Sequence, residues 1–312
     1  MRSWVGMLAG LWGLACSRSA VVPVVMETSD TASTWDALVA LPDSPRVRGE
    51  AARDAVQGLA HDDTHWYVVS TQRIWKVPLT ESLGRAPTGG VVPFEGRYSH
   101  LGDADYFEGV LYVPLEADRR GGPHAIGALR PDLTPIGVQP LGGARYAPWC
   151  AIHPRTRRLY TSSFDADRIQ IFRVELTAER FALAFERDLV LTLPPREGSP
   201  GPTPFGVVPS IQGGAVSARG ELYLASDHPD MGVVVFDADT GAWLGRVPVT
   251  YSPQWGPLTH EEIEGIDLFD GDDAGLPTSG WLHLLLHDEL PRRSYGLKHW
   301  RQRAISTPAG DR

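Results

Sequence analysis

The amino-acid sequence predicts an all-β protein whose folded part is a single β-propeller of four-stranded antiparallel blades. Two observations predict this fold: a strand–turn–strand unit recurs five times, and helical hydrophobic periodicity is almost absent. Each unit has a first strand with a small residue near its start, a polar turn, and a second strand with an aromatic or apolar anchor. We predict five blades, or six if the segment 176–210 holds another. The anchors are Tyr67, Tyr112, Tyr160, Tyr223 and His283, spaced by 45, 48, 63 and 60 residues.

The first sixteen residues, MRSWVGMLAGLWGLAC, have the organisation of an export signal. Arg2 precedes an uncharged, mostly apolar run that is too short to cross a bilayer as a stable helix. The run ends in small residues followed by Cys16 and resembles a bacterial lipoprotein signal, with Gly13 where leucine is usual. We expect residues 1–15 to be removed and Cys16 to be lipidated, or else plain secretion. Lipidation would anchor the protein to a membrane of the bacterial cell envelope, facing the periplasm or the cell surface.

Residues 16–53 are rich in Ser, Thr, Pro, Asp and Ala and show little hydrophobic periodicity, which is typical of a flexible tether. One strand is predicted in it, at 35–42, and the propeller is predicted at 54–312. Cys16 and Cys150 are the only cysteines, and a lipidated Cys16 could not form a disulfide. We therefore expect packing alone to stabilise the fold, with Cys150 as a small core residue.

Further strand-like runs follow the recurring pairs and complete the blades. They lie at 73–77, 170–174, 232–237 and 242–249. The last unit offers three strands, at 263–268, 281–286 and 294–300, before the chain ends. A strand at 35–42 would complete that last sheet and close the ring, which would hide otherwise exposed sheet edges.

The charge of the chain argues against one class of partner. Lys and Arg number 29 against 38 Asp and Glu, which gives a formal net charge of −9. A nucleic-acid partner is excluded on this ground, because phosphate binding depends on clustered Lys and Arg. We expect a monomer that meets the membrane only through its lipid anchor and binds a small-molecule or carbohydrate ligand.

Aligning the five units produces a column at the head of each first strand, and the second member of each pair is small. Five strands that crowd around a central channel leave no room for a large side chain there. The first members would then ring one mouth of the channel. The pairs are Gln57-Gly58, Leu101-Gly102, Trp149-Cys150, Gln212-Gly213 and Glu264-Gly265.

A second column lies four residues past each anchor, where the second strand returns to the same rim of the sheet. Its polar members should face the first column and, together with an aromatic side chain, form a ligand pocket. The alternative is that these carboxylates are solvated loop residues. The column consists of Thr71, Glu116, Phe164, Asp227 and His287.

The predicted ligand-binding residues come from both columns. Asp103 is added to them, because the other units have no carboxylate at the equivalent position and this side chain would line the channel. Among them, Glu264 with His100, or Glu116 with His287, could form a general acid/base pair. We take Glu264 and His100 as the candidate catalytic residues. The ligand-binding set is Gln57, Asp103, Glu116, Trp149, Gln212, Asp227 and His287.

Residues 211–241, with the Glu264-Gly265-Ile266 sequence, resemble blades of the gluconolactonase and senescence-marker-protein propellers and of streptogramin-lyase-type and other short-repeat propellers. The resemblance implies a propeller fold and a divalent cation, such as calcium, held by acidic residues of the first column. Glu264 is the position that matches this pattern. The other column members depart from it, and calcium requires several oxygen ligands.

Three functions follow from these patterns. The leading prediction is a cell-envelope module that binds a small polar or carbohydrate-like ligand at the channel mouth. The alternative is a hydrolase or lyase of the lactonase-like propeller type, with esterase-like chemistry and a metal at Glu264. The third is a protein-interaction scaffold.

Overall fold

The computed structural model shows five antiparallel sheets arranged as the blades of a β-propeller, so the predicted fold and blade number are confirmed. Almost no helix accompanies them. Among the described residues, no helix has the length and apolarity needed to cross a membrane. The structure describes residues 38–94, 98–117, 124–142, 146–177, 180–194, 206–228, 230–251, 261–288 and 293–302.

The strands follow the chain around the ring, innermost strand first in blades 1 to 4. Blade 1 contains β2 (Val56–His61), β3 (His65–Ser70) and β4 (Ile74–Pro78). Blade 2 contains β5 (Tyr98–Leu101), β6 (Asp105–Phe107), β7 (Val110–Ala117), β8 (Ala125–Leu129) and β9 (Pro135–Pro140). Blade 3 contains β10 (Ala151–Ile152), β11 (Arg158–Thr161), β12 (Arg168–Leu176) and β13 (Phe181–Val190). Blade 4 contains β14 (Ile211–Val216), β15 (Glu221–Ser226), β16 (Gly232–Asp237) and β17 (Trp243–Val247). Blade 5 contains β18 (Glu261–Leu268), β19 (Leu282–Asp288), β20 (Ser294–Gln302) and the N-terminal β1 (Leu38–Ala40).

Two blades depart from the four-strand plan. In blade 1 a single bridge between Ile74 and Val91 occupies the place of a fourth strand. In blade 2 the inner strand is divided, since β5 and β6 both pair with β7 and leave 102–104 between them. The segment 176–210, where a sixth blade was considered, supplies β13 of blade 3 among its described residues.

The N-terminal segment closes the ring. Strand β1 pairs with β20 through Leu38–Gln302 and Ala40–Trp300. The chain then runs along blade 5 into α1 (Glu50–Arg53), and both Val47 and the alanines of α1 are buried. Residues 38–53, which the sequence assigns to the tether, thus pack on the propeller. Trp35 to Ala37, the start of the expected strand, lie outside the described residues.

The anchors of the second strands fill the spaces between blades. Buried apolar residues form five clusters, and each cluster joins two neighbouring blades. Tyr67, Tyr112, Tyr160 and Tyr223 each belong to a different cluster. At the fifth interface the anchor is His283, whose ring lies 5.3 Å from that of Trp66. His283 Nε2 donates to the Phe269 carbonyl, which satisfies this buried polar side chain.

The Asp103 side chain occupies the axis and connects the blades. Its Oδ1 accepts a hydrogen bond from the Leu59 N–H (3.0 Å), and its Oδ2 accepts from those of Gly214 (3.1 Å) and Ile266 (3.2 Å). These three donors belong to the inner strands of blades 1, 4 and 5. The backbone of Asp103 bonds to blade 3, through its N–H to Pro148 and its carbonyl from Cys150. One residue of blade 2 therefore contacts the inner strands of all the other blades.

The small residues of the first column are explained by this contact. A Cβ on Gly58 would lie 2.6 Å from the Asp103 Cα, and one on Gly265 would lie 2.6 Å from its Oδ1. At Gly213 a Cβ would lie 2.7 Å from Oδ2. These distances are shorter than real Cβ contacts, so only glycine fits around the carboxylate. Asp103 itself is fully buried, and backbone donors take up both its oxygens, which leaves the predicted ligand-binding role without an exposed atom.

We expect Gly213→Ala to lower the free energy of unfolding by about 2 kcal/mol, since the added methyl group overpacks the axis. Urea denaturation measures the change. Gly142→Ala is the matched control, because a Cβ there meets no atom within 4 Å, and its effect should stay within about 0.5 kcal/mol. Equal stability of the two variants would contradict the role given to the axis.

Candidate functional site

Three β-bulges direct polar side chains to one mouth of the channel. The register of the inner strand shifts between Val56 and Gly58, between Ile211 and Gly213, and between Ile263 and Gly265. In each case the extra residue is the first member of the predicted column. A bulge leaves its extra residue out of the ladder and redirects its side chain, so bulges are common beside functional sites. The three residues are Gln57, Gln212 and Glu264.

The second strands end at this same mouth. In blade 2, His100 and Glu116 stand opposite each other in the register. In blade 5, Glu262 stands opposite His287, so their side chains lie on the same face of the sheet. Between blades 4 and 5, Asp227 Oδ1 accepts a hydrogen bond from the Ile263 N–H at 3.0 Å.

Glu262, Glu264 and His287 form the centre of the site. One ligating atom from each residue lies within 4.8 Å of the other two. Glu264 and His287 are buried, with 5% and 1% exposure, and Glu262 is half-buried. A cation bonded to each donor at about 2.0–2.6 Å spaces its ligands about 3–5 Å apart. Among the described residues this is the one cluster of His, Cys, Asp and Glu with such spacing.

Burial raises the pKa of Glu264 well above its usual range. The neighbouring Glu262 and Asp227 carboxylates add to the shift, because like charges disfavour ionisation, while a hydrogen bond from the Gln57 amide opposes it. Ionisation of Glu264 is therefore disfavoured in this poorly solvated place, and Glu264 hydrogen-bonds to Glu262. A bound cation would favour the ionised form of both carboxyl groups.

A hydrogen-bonded chain links this centre to blade 2. His100 bonds to Glu116 Oε2 through Nδ1 (3.0 Å) and to Gln57 Oε1 through Nε2. Gln57 Nε2 donates to the Val56 carbonyl at 2.9 Å, which fixes the amide with its oxygen towards His100. Both ring nitrogens of His100 therefore face oxygen atoms. The other oxygen of Glu116, Oε1, is buried and has no hydrogen-bond partner in the described part of the chain.

The remaining predicted residues lie outside the cluster. Trp149 is fully buried in the core between blades 3 and 4, and its indole N–H donates to the Ser162 hydroxyl at 3.0 Å. It does not line the mouth, because its ring packs on Gly214 of the next blade. Gln212 is half-buried at its bulge. Cys16 lies outside the described residues.

Glu262 is the site residue that the sequence analysis missed. It precedes Glu264 by two positions on a strand, and alternate residues of a strand lie on the same face. The Glu-x-Glu spacing was therefore a usable signal. Glu262 belongs to neither aligned column, because each column takes one position per blade and Glu264 represents this strand.

A second polar group lies at the opposite ends of the inner strands. His61 Nδ1 and Asp267 Oδ2 are 2.6 Å apart, and Asp105 Oδ2 accepts a hydrogen bond from the Ile152 N–H at 2.5 Å. Burial works to lower the pKa of His61, but the Asp267 carboxylate raises it above the ordinary value. Burial raises the pKa of Asp105 to about 7, and the charge of Asp267 adds to the shift.

Comparisons with known proteins give the fold and little more. No known family model matches the chain, and no curated protein does. The chain is similar to the crystal structure of Myxococcus xanthus glutaminyl cyclase, with a TM-score of 0.54 and 12% identity over 86% of this chain and 97% of that one. A gluconolactonase from Xanthomonas campestris aligns with a TM-score of 0.44 and 14% identity over 84% of this chain and 98% of that one. At such identity the first likeness supports the propeller fold alone.

We expect Asp105 to contribute stability that is present at low pH and is lost as pH rises from about 4 to about 7. The pKa of Asp105 is about 7 in the folded state and near 3.8 when unfolded, so the folded state binds more protons between these values. His61 contributes in the same direction, because its raised pKa favours the folded state at low pH. Asp105→Asn should remove this pH-dependent loss, which urea denaturation at each pH measures. Asp239→Asn, on an exposed turn, is the control and should keep the wild-type dependence of stability on pH. If Asp105→Asn also keeps the wild-type dependence, the role given to Asp105 is wrong.

Proposed function

We propose that the protein binds a divalent cation at the first mouth of the channel and uses this site to hold a small, oxygen-rich polar ligand. The convergence of Glu262, Glu264 and His287 carries the proposal. A bound cation would offset the acidic groups there and leave coordination positions open towards the solvent-facing mouth. Such positions accept hydroxyl or carbonyl oxygens of a ligand, which is the chemistry that the cation would supply.

The donor set favours a zinc- or manganese-type ion over calcium. Calcium takes six to eight oxygen ligands, whereas this cluster offers two carboxylates and one imidazole nitrogen. Imidazole with carboxylates suits first-row transition metals, and carboxylates also suit manganese. Gln57 and Asp227 lie close enough to influence Glu264 and would support the ligands from outside.

Hydrolysis of a lactone or ester is the second candidate. His100 favours it, because its imidazole hydrogen-bonds to Glu116 and is linked to Glu264 through Gln57. An imidazole–carboxylate pair beside a ligand carbonyl provides a general acid or base. The glutaminyl cyclase and gluconolactonase activities belong to the two similar proteins, and fold likeness alone does not transfer them to this chain.

The envelope location is part of the proposal and rests on the sequence. An export signal followed by Cys16 would release the folded domain outside the cytoplasm with a lipid at its N-terminus. The residues between Cys16 and Leu38 would then span the distance from the membrane to the propeller. The acidic mouth would meet ligands of the envelope.

We expect metal-free protein to bind Zn²⁺ or Mn²⁺ with a stoichiometry near one and more tightly than Ca²⁺, as measured by titration calorimetry. Glu264→Gln should weaken this binding by roughly 10- to 100-fold, because it removes a charged ligand. Glu81→Gln, at an exposed position outside the site, is the control and should bind as the wild type does. Absence of binding for all three ions, or unchanged binding by E264Q, would contradict the proposal.

An assay with δ-gluconolactone on the same metal-loaded protein separates the two candidate functions. Turnover that is lost in His100→Gln while metal affinity is kept would favour the hydrolase. Ligand binding without turnover would favour the binding module.

We expect Cys16→Ser to move the protein from the detergent phase to the aqueous phase in Triton X-114 partitioning after expression in a bacterial host. The wild-type protein should enter the detergent phase, because a diacylated cysteine partitions with lipid. Ser17→Ala is the neighbouring control and should partition like the wild type. Detergent partitioning that persists in C16S would contradict lipidation.

A further inference from the structure

A second cavity opens on the same face of the propeller as the cation cluster, beside blade 3. Its volume is about 620 Å³, which is within the range of small-ligand pockets. It is lined by residues that follow β11, by Tyr146, and by Gln170 and Asp188. The connection to the mouth is direct, because the Phe164 carbonyl accepts a hydrogen bond from the Ile211 N–H (2.6 Å), and Gln212 is the next residue. The aromatic, charged and amide side chains that line it include Tyr146, Phe164, Asp165, Arg168, Gln170 and Asp188.

Two aromatic rings, Tyr146 and Phe164, line this cavity, and His124 packs against Tyr146. The ring centroids of His124 and Tyr146 are 5.2 Å apart, and those of Tyr146 and Phe164 are 5.6 Å apart. Tyr146 is 49% exposed, which is unusual for a large ring packed between two others. An exposed ring face at a cavity wall offers apolar contact area to a ligand at a small entropic cost.

Planar polar groups lie around the rings. Asp165 Oδ1 accepts a hydrogen bond from the Ser210 N–H at 2.9 Å, which fixes the carboxylate and leaves Oδ2 available. Arg168 is positioned by Asp167 (3.0 Å) and lies 3.8 Å from Asp188. The Gln170 amide makes no side-chain hydrogen bond with the residues that the structure describes. Carboxylate, guanidinium and amide groups can each bond to two neighbouring hydroxyl groups.

A buried, unsatisfied atom adds a second observation. His124 Nδ1 is shielded from solvent and has no hydrogen-bond partner within the described ranges. Buried polar atoms are nearly always paired, so an unpaired one next to Tyr146 leaves a hydrogen-bonding atom for a ligand that reaches this ring. The ring of His124 is tilted by 43° against that of Tyr146.

We infer that this cavity is a saccharide subsite, in which a sugar ring stacks on Tyr146 and its hydroxyl groups bond to Asp165, Arg168 and Gln170. A pyranose presents axial C–H groups on its faces and hydroxyl groups at its edge, and the cavity offers an aromatic face with polar groups around it. The inference deepens the proposed function, on which it rests for the idea that this face binds a ligand, and names the ligand class. A chain of two or more sugars could extend from here towards the cation cluster.

Saturation-transfer NMR and titration calorimetry with glucose, galactose, N-acetylglucosamine, lactose, cellobiose and chitobiose test the inference. We expect at least one of these sugars to bind and Tyr146→Ala to weaken it about tenfold or more. Phe185→Ala removes a ring of similar exposure (56%) on the outer strand β13 and should leave sugar affinity unchanged. Gln170→Ala provides a second variant at the polar edge and should weaken binding several-fold.

The outcomes separate this inference from the cation site. Sugar binding by E264Q and by chelator-treated protein, with loss in Tyr146→Ala, supports the subsite even if no metal binds. Metal binding that depends on Glu264, without binding of any sugar in the panel, overturns the subsite and leaves the cation proposal standing. Sugar affinity that is equal in Tyr146→Ala and wild type also overturns it.

Discussion

The three hydrogen bonds that the Asp103 carboxylate accepts are the interaction on which the rest of the structure depends. Inner strands of a five-bladed ring approach the axis so closely that only glycine fits at Gly58, Gly213 and Gly265. At this crowded axis some backbone N–H groups have no partner within the β-sheets. A buried N–H group without an acceptor lowers the stability of the fold. Asp103 supplies both acceptors needed, because the break between β5 and β6 allows its backbone to turn into the centre.

The polar mouth follows from the same crowding. Strands that begin at the axis with glycine carry a bulge just before it in blades 1, 4 and 5, and each bulge turns a polar side chain to the rim. Blade 5 adds Glu262 and His287 beside Glu264, so acidic groups accumulate where burial already disfavours charge. At the other end of the axis, Asp267 and Asp105 lie beside the imidazole of His61. At one end of the axis the carboxylates lie beside an imidazole of the protein. At the other end, the spacing of Glu262, Glu264 and His287 fits an external cation.

Much of the fold could be predicted from the sequence, because a propeller repeats its signals. The second-strand anchors, four tyrosines and His283, and the small residues each recur at one place per blade, and the structure puts them at the blade interfaces and the axis. The site was harder to predict, since it depends on features that do not repeat. Glu262 has no counterpart in the aligned column, and whether Trp149 faces the mouth or the core depends on packing against Gly214. The sequence predicts Asp103 as a channel-lining carboxylate, because its three backbone donors are distant in sequence and only the fold brings them to it.

We propose that the mouth above Asp103 is a cation site built from Glu262, Glu264 and His287. Anomalous X-ray diffraction from crystals grown with Mn²⁺ or Zn²⁺, collected at the absorption edge of the metal, tests it most directly. The account predicts an anomalous peak at about 2.0–2.3 Å from a carboxylate oxygen of each glutamate and from a ring nitrogen of His287. A peak elsewhere, or no peak with the two carboxylates bonded to each other, would contradict it.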